Sequence, residues 1–152
     1  MKSILIYLLL HILFQTSIYR FVLIVIDGDT IKTNQHETIR FLGVDTPELH
    51  HPHRPTECYA NEAKQFTKKQ VLNKRVLLTF EYPYKDKYNR TLAWVWYGYN
   101  YKTLLNLEII KQGYGFSYKK YPTSKLKELN EAENTAKTYR KGLWNSKICN
   151  YP

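Results

Sequence analysis

The stretch VIDGDTIKTNQHETIRFLGVDTPE, residues 25–48, decides the fold. Its β-branched and apolar residues come in short runs, interrupted by Asp27-Gly28-Asp29 and again by Gln35-His36-Glu37. Asp-Gly between such runs signals a tight turn, because both residues tolerate the backbone angles a hairpin demands. The reading is a meander of three strands: YRFVLIVI (19–26), TIKTN (30–34) and TIRFLGV (38–44). Downstream, HHPHRPT (50–56) carries two prolines and no periodicity, so it is a loop. Ala60, Ala63, Thr67 and Val71, with Phe66 beside them, recur at helical spacing and predict an amphipathic helix over 57–72. RVLLTFEY (75–82) and TLAWVWY (91–97) read as two further strands. A second helix is expected over 102–112, stopped by Gly113. Ser124 is expected to cap a third, whose Leu126, Leu129, Ala132, Ala136 and Tyr139 form one stripe. Five strands with helices after the third and fifth describe an α+β domain built as a small OB-like barrel.

The 152 residues suit one domain, and 43% hydrophobic with 24% charged residues excludes a disordered chain. No repeat or low-complexity tract is present, which excludes collagen, coiled coil and solenoid. Lys and Arg number 23 against 13 Asp and Glu, a formal charge of +10 that favours a polyanionic partner, nucleic acid before an anionic membrane. Residues 1–17 begin with Lys2 and an almost unbroken apolar run from Ile4 to Phe14, too short to span a bilayer but suited to a signal peptide. The expectation is therefore a leader or anchor over 1–17, a functional domain over 18–152, and a secreted, periplasmic or cell-surface location. An uncleaved anchor is the other reading, with membrane contact through that segment only. The leader carries one charge, Lys2, so the basic character belongs to the domain. Cys58 and Cys149 suit a disulfide in an exported protein, worth about 3–4 kcal/mol for so long a loop, or two unrelated thiols in a reducing compartment.

Acidic residues are scarce, yet Asp27 and Asp29 fall in one turn and Asp45 and Glu48 in the next. Either pair alone is ordinary turn chemistry. Together they predict a carboxylate patch whose repulsion a hard cation, Ca²⁺ or Mg²⁺, would relieve. Arg40 and Asp45 lie an odd number of residues apart, so a bend at Gly43 is needed to bring them to one site. Arg90 starts a later strand, and guanidinium groups offer planar paired donors to phosphate oxygens. Carboxylates, a cation and two arginines make a set able to cleave phosphodiesters. His50, His51 and His53 sit in a proline-broken loop with no ligand spacing. Lys68, Lys69, Lys74 and Arg75 read as a solvated face as readily as a phosphate track, and Trp94, Trp96 and Trp144 as core or interface residues.

VIDGDTIK (25–32), IRFLGVDTPE (39–48), DKYNRTLAWV (86–95), LNLEIIKQGYG (105–115) and KGLW (141–144) resemble the staphylococcal-type thermonuclease family, in order and at similar spacing. The resemblance spans nearly the whole chain after Tyr19. It implies a five-stranded OB barrel with three helices and a Ca²⁺-dependent phosphodiesterase cutting DNA and RNA to 3′-phosphate ends. Carried across, Asp29, Asp45 and the Thr46 carbonyl correspond to direct calcium ligands, with Asp27 and Glu48 acting through water. Glu48 matches a proposed general base, and Arg40 and Arg90 the phosphate-binding arginines. Tyr88 resembles a nucleotide-contacting tyrosine, and Tyr118 or Tyr121 a base-stacking one. Asn89 stands where a glycine is common, and Asn is the best substitute at positive φ. The loop at 50–58 departs from the lysine-rich loop of the family. No stable protein partner is expected, and a monomer follows. The rival expectation is a catalytically inactive OB-type nucleic-acid-binding module, against which the complete set Arg40, Glu48 and Arg90 counts.

Overall fold

The computed structural model describes residues 17–49, 53 and 55–151. The expected leader, apart from Ser17, and His50 and His51 lie outside the described residues. Strand β1 (Ser17–Asp27) is long enough to serve two partners in turn. Ser17 to Phe21 pair with β5 (Arg75–Thr79), and Val22 to Asp27 pair with β2 (Thr30–Thr33). Register shifts between Val22 and Ile24 and between Val25 and Asp27 let the strand bend from one partner to the other. The turn Gly28-Asp29 returns the chain as β2, and β3 (Thr38–Phe41) follows antiparallel beside it. β6 (Thr91–Tyr97) pairs with β5 on one edge and with β3, in parallel, on the other. That pairing closes the sheet, in the order β1-β2-β3-β6-β5, into the five-stranded barrel of an OB-type α+β fold. Val22, Val25, Ile31, Ile39, Phe41, Val76, Leu78 and Val95 fill its core.

Three helices pack around it: α1 (Ala60–Val71), α2 (Leu105–Lys111) and α3 (Leu126–Thr138). Their boundaries correct the sequence reading where local chemistry wins. α1 starts at Ala60 and not at Glu57, because Tyr59 adopts a left-handed φ of 73° that a helix cannot continue. The strand expected to 82 ends at Thr79. α2 begins at Leu105, since Thr103–Leu104 (β7) first pairs with β6. Ser124 does not cap α3, because its hydroxyl and amide both donate to the carboxylate of Glu81. Tyr139 lies outside the buried stripe, 72% exposed, and Glu133 is buried within it.

Two further short strands went unread beside β7: β4 (Val44–Asp45) and β8 (Phe116–Ser117) form a sheet of their own. Trp94 is core, buried under Lys125, whose ammonium lies 5.9 Å from its ring centre. Cys58 and Cys149 form a disulfide with Cα atoms 5.8 Å apart.

Candidate active site

The break between β3 and β4 is what assembles the site. Arg40 sits on β3, and the chain must reverse its pleat within five residues to aim Asp45 at the same point. Gly43 does this with φ of 67°, and a Cβ there would also collide with the Leu129 side chain. β4 then leaves the barrel and pairs with β8, Asp45 opposite Phe116.

The Arg40 guanidinium bridges these elements. Nη2 donates to Asp45 Oδ1 at 2.9 Å and lies 3.2 Å from Asp29 Oδ2. Nη1 donates to the carbonyls of Phe41 at 2.9 Å and Val44 at 2.6 Å. Asp29 is almost sealed from water, and its oxygens also accept from the Thr46 amide at 2.8 Å, the Thr46 hydroxyl at 3.1 Å and the Thr30 hydroxyl at 2.9 Å. Asp27 accepts from the Asp29 amide at 3.2 Å, which shapes the turn. Glu48 follows three residues after Asp45, with its side chain exposed and its amide donating to Glu57 Oε2 at 2.9 Å.

Electrostatics at this point are strained by excess negative charge. Burial, and then the charge of Asp29, push the Asp27 carboxyl up to about 7. Burial raises Asp45 to about 6, with Arg40 pulling down and Asp29, Glu48 and Glu57 pushing up. Burial works against the Arg40 cation, but Asp29, Asp45, Asp27 and Glu48 together outweigh it and hold its pKa above the ordinary value. One guanidinium thus stands against four carboxylates. Among the described residues no three His, Cys, Asp or Glu side chains form a ready-made cation cage. The residues nonetheless fit a hard divalent cation: oxygen donors only, partly desolvated, and short of positive charge.

Beyond Arg40 opens a cavity of about 380 Å³ that reaches Arg90, Tyr88, Tyr118 and Tyr121. Arg90 is aimed by Asp86, whose Oδ2 accepts from Nε at 2.6 Å while Oδ1 accepts the amides of Tyr88 at 2.9 Å and Arg90 at 3.0 Å. Asn89 closes this turn with φ of 64°, as expected for the residue standing in a glycine's place. Arg90 lies 5.4 Å from the Tyr88 ring centre, and Tyr118 and Tyr121 rings are 5.8 Å apart. The structure therefore gathers Arg40, Asp29, Asp45 and Thr46 at one point, with Asp27 in the adjoining turn, and joins Arg40 to Arg90 and the three tyrosines through one cleft. Sequence reading missed Lys87 and Lys120 on the cleft wall, and it missed Asp86, although an acid four residues before Arg90 in a turn is a legible signal. Glu57 was missed with no local signal to find it by.

A closed OB-type barrel that sets partly desolvated carboxylates against a half-buried guanidinium, beside an arginine- and tyrosine-lined cleft, defines a protein equipped to hold a nucleic-acid phosphodiester. The family model described as "Staphylococcal nuclease homologue" matches residues 38–146. The chain is 37% identical over 126 residues to the thermonuclease of Staphylococcus hyicus, covering 80% of this chain and 73% of that one. It is 40% identical over 124 residues to the thermonuclease of Staphylococcus intermedius, covering 79% and 72%. It is 32% identical over 122 residues to an uncharacterized endonuclease of Haemophilus influenzae, covering 78% and 61%. The chain belongs to the staphylococcal nuclease family.

Proposed function

We propose that the protein is an exported, calcium-dependent nuclease that hydrolyses DNA and RNA without sequence preference and leaves 3′-phosphate ends. The observation that carries this reading is Arg40, held between Asp29 and Asp45 at the edge of a cleft that also contains Arg90. Asp29, Asp45 and the Thr46 carbonyl would hold the ion, with Asp27 acting through water. Bound there, calcium would polarise a phosphoryl oxygen and offset the charge that gathers on phosphorus. Arg90 and Arg40 donate to the same phosphoryl group, and guanidinium donors gain strength as negative charge builds in the transition state. Glu48, exposed beside the patch, takes a proton from the attacking water. The new P–O bond forms as the P–O5′ bond breaks, the 5′ oxygen leaves with a proton, and phosphate remains on the 3′ side. No ribose 2′-hydroxyl takes part, so DNA and RNA both qualify. Tyr88 with Tyr118 or Tyr121 would stack on bases, and phosphate contacts would dominate affinity, giving little sequence preference.

The names of the relatives, thermonucleases and an endonuclease, support the reading. The apolar segment before the barrel supports export, with residues 1–17 as leader or anchor and the domain acting as a monomer. The test is digestion of plasmid DNA and of RNA by the purified protein in calcium, in EGTA, and with Glu48→Gln. Cleavage that vanishes in EGTA and falls in Glu48→Gln is expected, with fragment ends that a 3′-phosphatase must treat before polymerase extends them. Full activity in EGTA overturns the calcium assignment. No cleavage under any condition returns the inactive binding module. Fractionation of expressing cells into medium, membrane and cytosol tests export.

A further inference from the structure

Glu48 sits at one side of a loop neck that the structure closes three times. The Glu57 amide donates to the Glu48 carbonyl at 3.0 Å, and the Glu57 carboxylate accepts the Glu48 amide at 2.9 Å. One turn further out, the Thr56 hydroxyl donates to the Leu49 carbonyl at 3.0 Å. Glu57 is thus the immediate partner of the residue whose side chain the reaction needs, on both its backbone faces. It holds this post at an electrostatic cost, because its charge is among those that raise Asp45.

The adjacent residue ties Glu57 to the C-terminal tail. Cys58 is bonded to Cys149, and its carbonyl accepts the Tyr151 hydroxyl at 2.9 Å. The tail bearing Cys149 is itself fixed: the Leu143 amide donates to Gly113 at 2.9 Å and the Cys149 amide to Asn145 at 3.0 Å. Phe116 lies edge-on against Trp144 at 5.3 Å and Tyr151 at 5.1 Å. Phe116 is also the residue paired with Asp45. The tail therefore braces both acidic segments, one through β8 and one through the disulfide.

We propose that Glu57 is a positioning residue for Glu48, and that the Cys58–Cys149 disulfide fixes Glu57 in that role. The inference rests on the reading of Glu48 as the group that activates water. Positional error of the order of an ångström at a reacting group costs up to about 10²-fold in rate. Releasing one end of the neck should cost less, about tenfold.

The test compares Glu57→Ala, Glu57→Gln and the double variant Cys58→Ser with Cys149→Ser in the full chain, well below their melting temperatures. Glu57→Ala is expected to lower kcat by about tenfold while KM changes less than about twofold, since the cleft is untouched. Glu57→Gln keeps an acceptor oxygen for the Glu48 amide and should restore kcat to within about threefold. The cysteine variant should lower kcat as Glu57→Ala does, and adding it to Glu57→Ala should lower kcat little further, because both release the same neck. Hydrogen exchange of the Glu48 amide reads the neck independently of activity and should quicken in Glu57→Ala but not in Glu48→Gln. Faster exchange with unchanged kcat overturns the positioning role, as does unaltered exchange in Glu57→Ala. A fully active Glu48→Gln instead overturns the reading of Glu48 on which the inference rests, and the two failures are told apart by that variant.

Discussion

Asp29 is 4% exposed and held by four donors, whereas Tyr88 and Tyr121 are 68% and 61% exposed and held by little besides a turn and each other's neighbours. Both regions open on Arg40, yet they are built in opposite ways. The acidic patch draws on β1, the β1–β2 turn, β3 and β4, so its geometry is set by barrel closure and by the Gly43 bend. The Tyr88 and Arg90 side of the cleft wall is set locally, by Asp86 and the four residues after it. The difference separates two demands: the carboxylates and guanidinium of the patch are over-determined by several elements at once, and groups that must accommodate any base are left adjustable. Changes on the patch side and at Arg90 should therefore read out in kcat, and changes to the cleft tyrosines in KM.

The largest effect is expected from Arg40→Lys. An ammonium keeps the charge but cannot reach two carboxylates and two carbonyls from one planar fork, so it leaves the Phe41 and Val44 carbonyls without their partner. Single-turnover cleavage should fall by about 10²–10³-fold, with a lowered melting temperature. A fall confined to KM would break the comparison, since Arg40 would then belong to the cleft alone. Next comes Asp86→Asn, which weakens the 2.6 Å bond that aims Arg90. We expect kcat/KM to drop about tenfold, short of the loss in Arg90→Ala, because a charge-assisted bond is replaced and not abolished. Equal losses in the two variants would mean that Asp86 does more than aim. Smaller again is Tyr88→Ala, which should raise KM for single-stranded DNA about fivefold, a stacking loss near the lower end of the usual range, and leave kcat within twofold.

The same contrast explains what could be read from residues alone. Barrel and helices were legible because β-branched runs, the Asp-Gly turn and the stripe in α1 are local signals. The patch was legible as Asp27, Asp29, Asp45 and Glu48 because acids are scarce in a basic chain, and two turns bracketing one strand pair must lie together. β4 and β8 escaped, since two residues carry no period. Ser124 misled, because a hydroxyl beside a helix start is a cap only if no better acceptor is near, and Glu81 is 43 positions away. Glu57 escaped for a deeper reason: the Cys58–Cys149 pairing was legible, but the closure of the loop that brings Glu57 to the Glu48 backbone leaves no mark on neighbouring residues.

The finest test of the contrast lies in how the two regions respond to pH without calcium. The Asp27 carboxyl is raised from 3.8 to about 7 in the folded protein, and Asp45 to about 6. Between the ordinary carboxylate range and those values the native state holds protons that the unfolded chain has released, so stability from these groups is present at low pH and lost as pH rises toward 7. On the cleft side burial pushes Asp86 up, but hydrogen bonds from Arg90 and the two amides outweigh it and leave the carboxyl below its ordinary value. Its contribution has the opposite sign, present above the unfolded pKa and lost as pH falls through the lowered one. Asp27→Asn removes a burdened charge while keeping an oxygen for the Asp29 amide. Its melting temperature should therefore match the parent near pH 4 and exceed it at pH 8 by about 3 °C, as follows from roughly 1 kcal/mol in a domain of this size. Asp86→Asn should fall below the parent at pH 8 and converge toward it in acid. Calcium should shrink the Asp27→Asn gain, because the ion offsets the same repulsion, and leave the Asp86→Asn loss unchanged. A gain in Asp27→Asn that is equal at pH 4 and pH 8 would mean that packing, and not charge, sets the cost of the patch.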